Sequence, residues 1–257
     1  MTDTPALPSF DLDGRVAIVT GGSRGLGRAI CLAYAAAGAK LVVASRKAEA
    51  CDEVAAEIVD AGGEAIAVPT HVGRSEQLAQ LVETTVGHFG GISIVVNNAA
   101  NPLGGSLRDM TDLAFEKSFA TNVRGPVQLA TLALDHLAAS GHGVVINMIT
   151  AGAFQPGEGL GLYCSGKAAL WSFTRVMAKE FAPMGVRVNA LAPGPFETNM
   201  MAATLAVPEF TQHIIDATLL KRVADPAEIG GAAVFLASDA SSYMTGSALS
   251  IDGGLLA

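Results

Sequence analysis

Seven short, mostly apolar runs at 16–19, 41–44, 65–68, 93–96, 144–148, 186–190 and 248–251 are separated by longer segments of helical periodicity, and this alternation most narrows the folds open to the chain. Runs such as Val16-Ala17-Ile18-Val19 and Val144-Val145-Ile146 are too short for helices and rich in β-branched residues, so they read as strands buried on both faces. The intervening patterns at 27–37, 48–61, 76–89, 113–137, 163–181 and 226–237 read as helices. A strand followed by a crossover helix returns as a parallel strand. The expected fold is therefore α/β, a doubly wound seven-stranded parallel sheet with helices on both faces. No repeat, low-complexity segment or linker interrupts it, so residues 1–257 read as one domain, with 1–12 as a flexible N-terminal extension.

In such a sheet ligands bind outside the carboxyl ends of the strands. Gly21, Asn97, Thr150 and Pro193 each follow a candidate strand and so converge on one rim. The first of these opens Gly21-Gly22-Ser23-Arg24-Gly25-Leu26-Gly27, a strand-to-helix turn. Glycines there let backbone N–H groups approach a pyrophosphate at the positive end of the helix, although the G-x-x-x-G-x-G spacing differs from the common G-x-G-x-x-G fingerprint. Farther on, Tyr163 and Lys167 stand four residues apart, on one helix face. A phenol titrates near ~10, and a neighbouring cation that favours the phenolate brings its proton into range for acid–base work.

Composition restricts the partners. The net charge of −8 argues against nucleic acid or an anionic membrane surface. No stretch reaches eighteen consecutive apolar residues, and residues 1–10 have neither the basic nor the apolar region of a secretory signal; a cytoplasmic protein is expected. Cys31, Cys51 and Cys164 have no metal-ligand spacing and cannot all pair, so they read as small buried residues of a reducing compartment, and no metal is expected. With 50% apolar and 16% charged residues, much surface should be buried, some of it between subunits.

Taken together, Thr20-Gly21 with Gly25 and Gly27, Asn97-Asn98-Ala99-Ala100, Asn122, the Tyr163/Lys167 pair, and Pro193-Gly194 with Thr198 resemble the short-chain dehydrogenase/reductase family over nearly the whole chain. The resemblance implies a Rossmann-type domain that interconverts a carbonyl and an alcohol by hydride transfer. It implies a catalytic set of Asn122, Thr150, Tyr163 and Lys167. The implied cofactor set is Gly21, Ser23, Arg24, Gly25, Leu26, Gly27, Ser45, Arg46, Val72, Asn98, Ala99, Tyr163, Lys167, Pro193, Gly194, Phe196 and Thr198. In the implied roles Tyr163 is general acid and base, Lys167 lowers the Tyr163 pKa and binds the nicotinamide ribose, and Asn122 steadies a water leading to solvent. The Tyr163 helix and the long one before it would form a dimer seam, and Asp252-Gly253-Gly254 a second contact, giving a homotetramer or a homodimer.

The chain departs from the family pattern at three places. Thr150 stands where relatives carry Ser; its hydroxyl can hold a developing oxyanion, or cap the local backbone instead. His71 replaces an Asp that contacts adenine, and reads as a surface loop residue before an adenine contact. Ala100 replaces a Gly. At the end of the second strand, Ala44-Ser45-Arg46 lacks the Asp with which NAD-binding relatives hold the ribose 2′-OH, while Arg24 and Arg46 are suited to a 2′-phosphate. NADP(H) is therefore expected over NAD(H). The segment holding Met200, Met201, Leu205, Val207 and Phe210 reads as an apolar lid or as ordinary helix packing. A 3-oxoacyl thioester on acyl carrier protein or CoA is an alternative substrate, but 138–143 and 182–185, where carrier-binding relatives are basic, contain no Lys or Arg. A free or differently tethered carbonyl compound fits better. A non-catalytic dinucleotide sensor is the remaining alternative, and it has no need for the four catalytic-type residues together.

Overall fold

The apolar runs form seven strands, β1 Val16–Thr20, β2 Lys40–Ser45, β3 Glu64–Pro69, β4 Ile94–Asn97, β5 Val144–Met148, β6 Arg187–Pro193 and β7 Ala248–Ile251, in a computed structural model that describes residues 8–257. They pair in the order β3-β2-β1-β4-β5-β6-β7, parallel throughout. The helices are α1 Gly25–Ala36, α2 Ala48–Asp60, α3 Ser75–Phe89, α4 Asp112–Phe119, α5 Gly125–Leu132, α6 Leu134–Ala139, α7 Gly161–Phe181, α8 Ala202–Leu205, α9 Pro208–Ala217 and α10 Ile229–Ala237. Alternate strand residues serve opposite cores. Ala17 and Val19 pack with Tyr34 of α1, Val54 of α2 and Leu236 of α10, whereas Ile18 packs with Leu78 of α3, Leu129 of α5 and Phe181 of α7. Burial on both faces explains why these strands read as continuous apolar runs. Among the described residues no helix is long and apolar enough to cross a membrane.

The single helix expected at 113–137 is instead α4, a π-helical turn Ala120–Arg124, α5 and α6. Pro126 is the reason. It has no N–H to give the carbonyl of Asn122 four residues back, so the α ladder cannot run through. Gly125 N–H bonds to Ala120 O, five residues back. A Cβ at Gly125 would lie 2.3 Å from the carbonyl oxygen of Val72, so only glycine lets this turn meet the loop after β3. The first seven residues of the extension expected at 1–12 lie outside the described residues. Beyond them, Ser9 O accepts a bond from Ala240 N–H, and Leu12 is fully buried with its N–H on Ala37 O at 2.8 Å.

Candidate active site

The chain order reverses between β1 and β4, and a crevice opens at their carboxyl ends. Gly21 has φ +66° there, and a Cβ on it would sit 2.8 Å from Asn98 Nδ2. Gly27 is tighter still: its Cβ would stand 2.1 Å from Gly21 O. Two glycines thus let the first turn of α1 lie directly on the loop. Thr20 Oγ1 donates to Val96 O and accepts from the N–H groups of Asn98 and Ala99 at 3.0 and 3.1 Å, while Asn98 Nδ2 donates to Thr20 O at 2.9 Å. The two motifs therefore interlock. No side chain caps the start of α1, and no acid sits in its first turn. Its free N–H groups face the crevice as an anion-binding terminus.

Around this loop stand the other residues expected to hold a cofactor. Ser23 and Ser45 share a hydrogen bond at 2.9 Å, tying the ends of β1 and β2 together beside the exposed Arg24 and Arg46. Val72 is buried beyond β3. His71, next to it, gives its N–H to Gln77 Oε1 and accepts from Gly73 N–H on Nδ1. After β6, Gly194 donates to Ile251 O at 2.9 Å, and a Cβ there would be 2.6 Å from Asp252 Cα. Phe196 is buried, and Thr198 folds back until its methyl lies 3.4 Å from where a Gly25 Cβ would be.

Helix α7 carries Tyr163 and Lys167 past the end of β5. Lys167 is 1% exposed, and its Nζ donates to Met148 O at 2.6 Å. Burial lowers its pKa to about 8. Its ammonium lies 5.9 Å from the centre of the Tyr163 ring. The lowered Tyr163 pKa expected from the sequence is not what this arrangement produces: burial, with the neighbouring Cys164 adding to it, pushes the hydroxyl up to about 12. Thr150 Oγ1 accepts from Gly152 N–H at 3.3 Å, capping a short 3-10 turn, and donates to nothing among the described residues. Both expectations for that hydroxyl are thus compatible, since one lone pair caps the turn while the O–H points free.

One cleft of about 2080 Å³ is lined by every expected cofactor residue and by Thr150, Tyr163 and Lys167. Asn122 lies behind it. Held in the π turn and fully buried, Asn122 accepts from Asn101 N–H and donates to Asn101 O, both at 2.9 Å, and to Ser118 Oγ. Met200 and Met201 line the cleft, whereas Val207 and Phe210 are exposed outside its lining. His213, Ile214 and Ala217 of α9 line it as well, as do Gln155 and Leu160. Nothing in their local sequence marks them, because they meet the site only through contacts between elements distant in the chain. Phe173 of α7 also reaches the lining.

A sequence profile of the family described as Enoyl-(Acyl carrier protein) reductase matches residues 21–256. An uncharacterized oxidoreductase of Mycobacterium tuberculosis is 41% identical over 97% of this chain and 95% of its own length. Dehydrogenase/reductase SDR family member 4 of Homo sapiens is 34% identical over 95% of this chain and 88% of its own. The solved structure of a gluconate 5-dehydrogenase from Burkholderia cenocepacia in complex with NADP and tartrate superposes with a TM-score of 0.93, at 31% identity, over 97% of this chain and 98% of that one.

Proposed function

The chain belongs to the short-chain dehydrogenase/reductase family, oxidoreductases that act on alcohol and carbonyl groups with a nicotinamide dinucleotide, and we propose that it interconverts a small carbonyl compound and its alcohol with NADP(H), Tyr163 serving as general acid and base. One observation carries this reading: Thr150, Tyr163 and Lys167 line the same cleft as the uncapped N-terminus of α1. The residues fit the cofactor. The loop of Gly21, Gly25 and Gly27 leaves backbone N–H groups open to a pyrophosphate, and Pro193, Gly194, Phe196 and Thr198 bound the far side. Arg24 and Arg46 would pair with a 2′-phosphate, and Ser45 offers no carboxylate to repel it. The NADP in the gluconate 5-dehydrogenase supports the same choice.

When bound, the cofactor supplies hydride to the carbonyl carbon or accepts it from the alcohol. Tyr163 Oη gives its proton to the carbonyl oxygen in reduction and takes it back in oxidation. Thr150, with its acceptor side engaged on Gly152, donates to the same oxygen as negative charge develops. Lys167, hooked on Met148 O, places positive charge beside Tyr163 and offsets part of the burial that holds the phenol protonated. Asn122 fixes the backbone of Asn101, which lines the cleft.

The test is turnover of a ketone panel with NADPH and NADH. A higher kcat/KM with NADPH is expected, and a higher value with NADH would reject the assignment to NADP(H). Absence of turnover with either cofactor, together with retained dinucleotide binding, would leave the sensor reading in place.

A further inference from the structure

We propose that the carbonyl compound accepted by this cleft is an uncharged molecule with a bulky apolar body, seated between the start of α7 and helices α8 and α9, and that carboxylated analogues are excluded. The inference rests on the hydride-transfer reading for the position of the reacting carbonyl, at Thr150 and Tyr163. Beyond those residues the cleft is walled by Leu160, Met200, Met201 and Ile214. Leu160 is 43% exposed and Met200 50%, so apolar surface stands in water there until something covers it. Unbranched thioethers adapt to more than one contour. Gln155 also borders a neighbouring recess of about 550 Å³, lined besides by Phe154, Ser250 and Leu256, which extends the same uncharged surface.

Charge is distributed along the cleft in one direction. Arg24, Arg46 and Arg74 stand on the loops after β1, β2 and β3, at the end fitted to the dinucleotide. Arg124 turns the same way and donates to Gly73 O at 2.9 Å. Lys117 and Glu116, of opposite charge, both line the cleft from α4. Lys167 is held on Met148 O. The polar groups at the α8–α9 end are the amides of Gln155 and Asn199, the hydroxyl of Thr204 and the imidazole of His213. Among the described residues, a carboxylate buried at that end meets hydrogen-bond donors but no guanidinium and no ammonium, so it would exchange its hydration for hydrogen bonds without the fixed cation that makes such burial favourable. A neutral ketone loses little and covers the apolar wall.

The experiment uses a bicyclic ketone such as decalone, its carboxylated derivative and a keto-sugar acid. It measures kcat/KM with NADPH and, independently of turnover, calorimetric binding to protein saturated with NADP+. The uncharged ketone should exceed its carboxylated partner by roughly 10²-fold in both. Met200→Arg, at an exposed position, should narrow that ratio about tenfold by supplying the missing cation. Equal performance of the carboxylated compounds, an unchanged ratio in a Met200→Arg variant that melts normally, or no binding of the bicyclic ketone would each overturn the proposal. Binding of decalone with the expected preference but without reduction would uphold the preference and defeat the hydride-transfer reading instead.

Discussion

At the scale of single residues the site is a balance between burial and charge. Tyr163 is held protonated up to about 12 by desolvation, so its proton is available to a carbonyl oxygen across the neutral range. Tyr163→Phe removes one hydroxyl and keeps the ring, and should lower kcat by about 10²–10⁴ while NADPH affinity, read by fluorescence titration, stays near wild type. Near-normal kcat in that variant would remove Tyr163 from the chemistry. Thr150 divides two explanations that share one hydroxyl. Thr150→Ser keeps the donor and should remain active, whereas Thr150→Ala should lose about 10²–10³ in rate. Full activity of Thr150→Ala would reduce the hydroxyl to the cap on Gly152. Lys167 makes a prediction that needs no substrate. Its folded pKa of about 8 lies below the ordinary 10.5, so between those values the unfolded chain binds more protons than the folded one and stability rises with pH. The burial cost is fully present below about 8 and is relieved through that window. Melting temperatures of wild type relative to Lys167→Met should climb across it; a flat difference would mean that the ammonium is not desolvated as its burial implies.

At the scale of elements, the position of α7 against β5 is set by a buried polar chain in an otherwise apolar interface. Asn97 Nδ2 donates to Asn147 Oδ1 at 2.9 Å, Asn147 Nδ2 to Thr174 Oγ1 at 2.9 Å, and Thr174 Oγ1 to Leu170 O at 2.8 Å. Sliding α7 by one residue would strand these amides without partners. Thr174 is two turns beyond Lys167, and Asn147 directly precedes Met148, whose carbonyl holds Lys167, so the same register places Lys167 and Tyr163. Thr174→Val keeps the volume and leaves Asn147 Nδ2 unpartnered; it should destabilise by about 1–3 kcal/mol in urea unfolding, with Thr174→Ser recovering most of the loss. Unchanged stability in the valine variant would show that the chain is not a register lock. The π turn before α5 belongs to this scale too. A helical period is visible through 113–137, but its interruption at Pro126 is what turns Asn122 inward.

At the scale of the whole molecule, apolar surface is left over. Leu113 and Phe115 of α4 and Val176 of α7 are 59%, 43% and 44% exposed, on helices that the family resemblance assigns to a subunit seam. Val176→Asp should therefore shift the molecule to a smaller species in sedimentation velocity, while far-UV circular dichroism stays unchanged. An unaltered sedimentation coefficient would mean that this face carries no subunit seam. The strand and helix segments, the glycine turn and the Tyr163/Lys167 spacing were legible in the chain because each depends on neighbours in sequence: period, turn geometry and one helical turn are local physics. That Gly21, Asn98 and Gly27 interlock was not legible, since the contact spans more than seventy residues and exists only once β1 and β4 pair. The direction of the Tyr163 pKa also escaped a local reading. A cation four residues away is visible in sequence, but the burial that raises the phenol is a property of the closed fold. The chain by itself determined which strands form and which chemical groups reach the rim; tertiary packing alone decided which of those groups are desolvated, which face the cleft and which, like Asn122, stand behind it, because burial is a sum over residues distant in sequence.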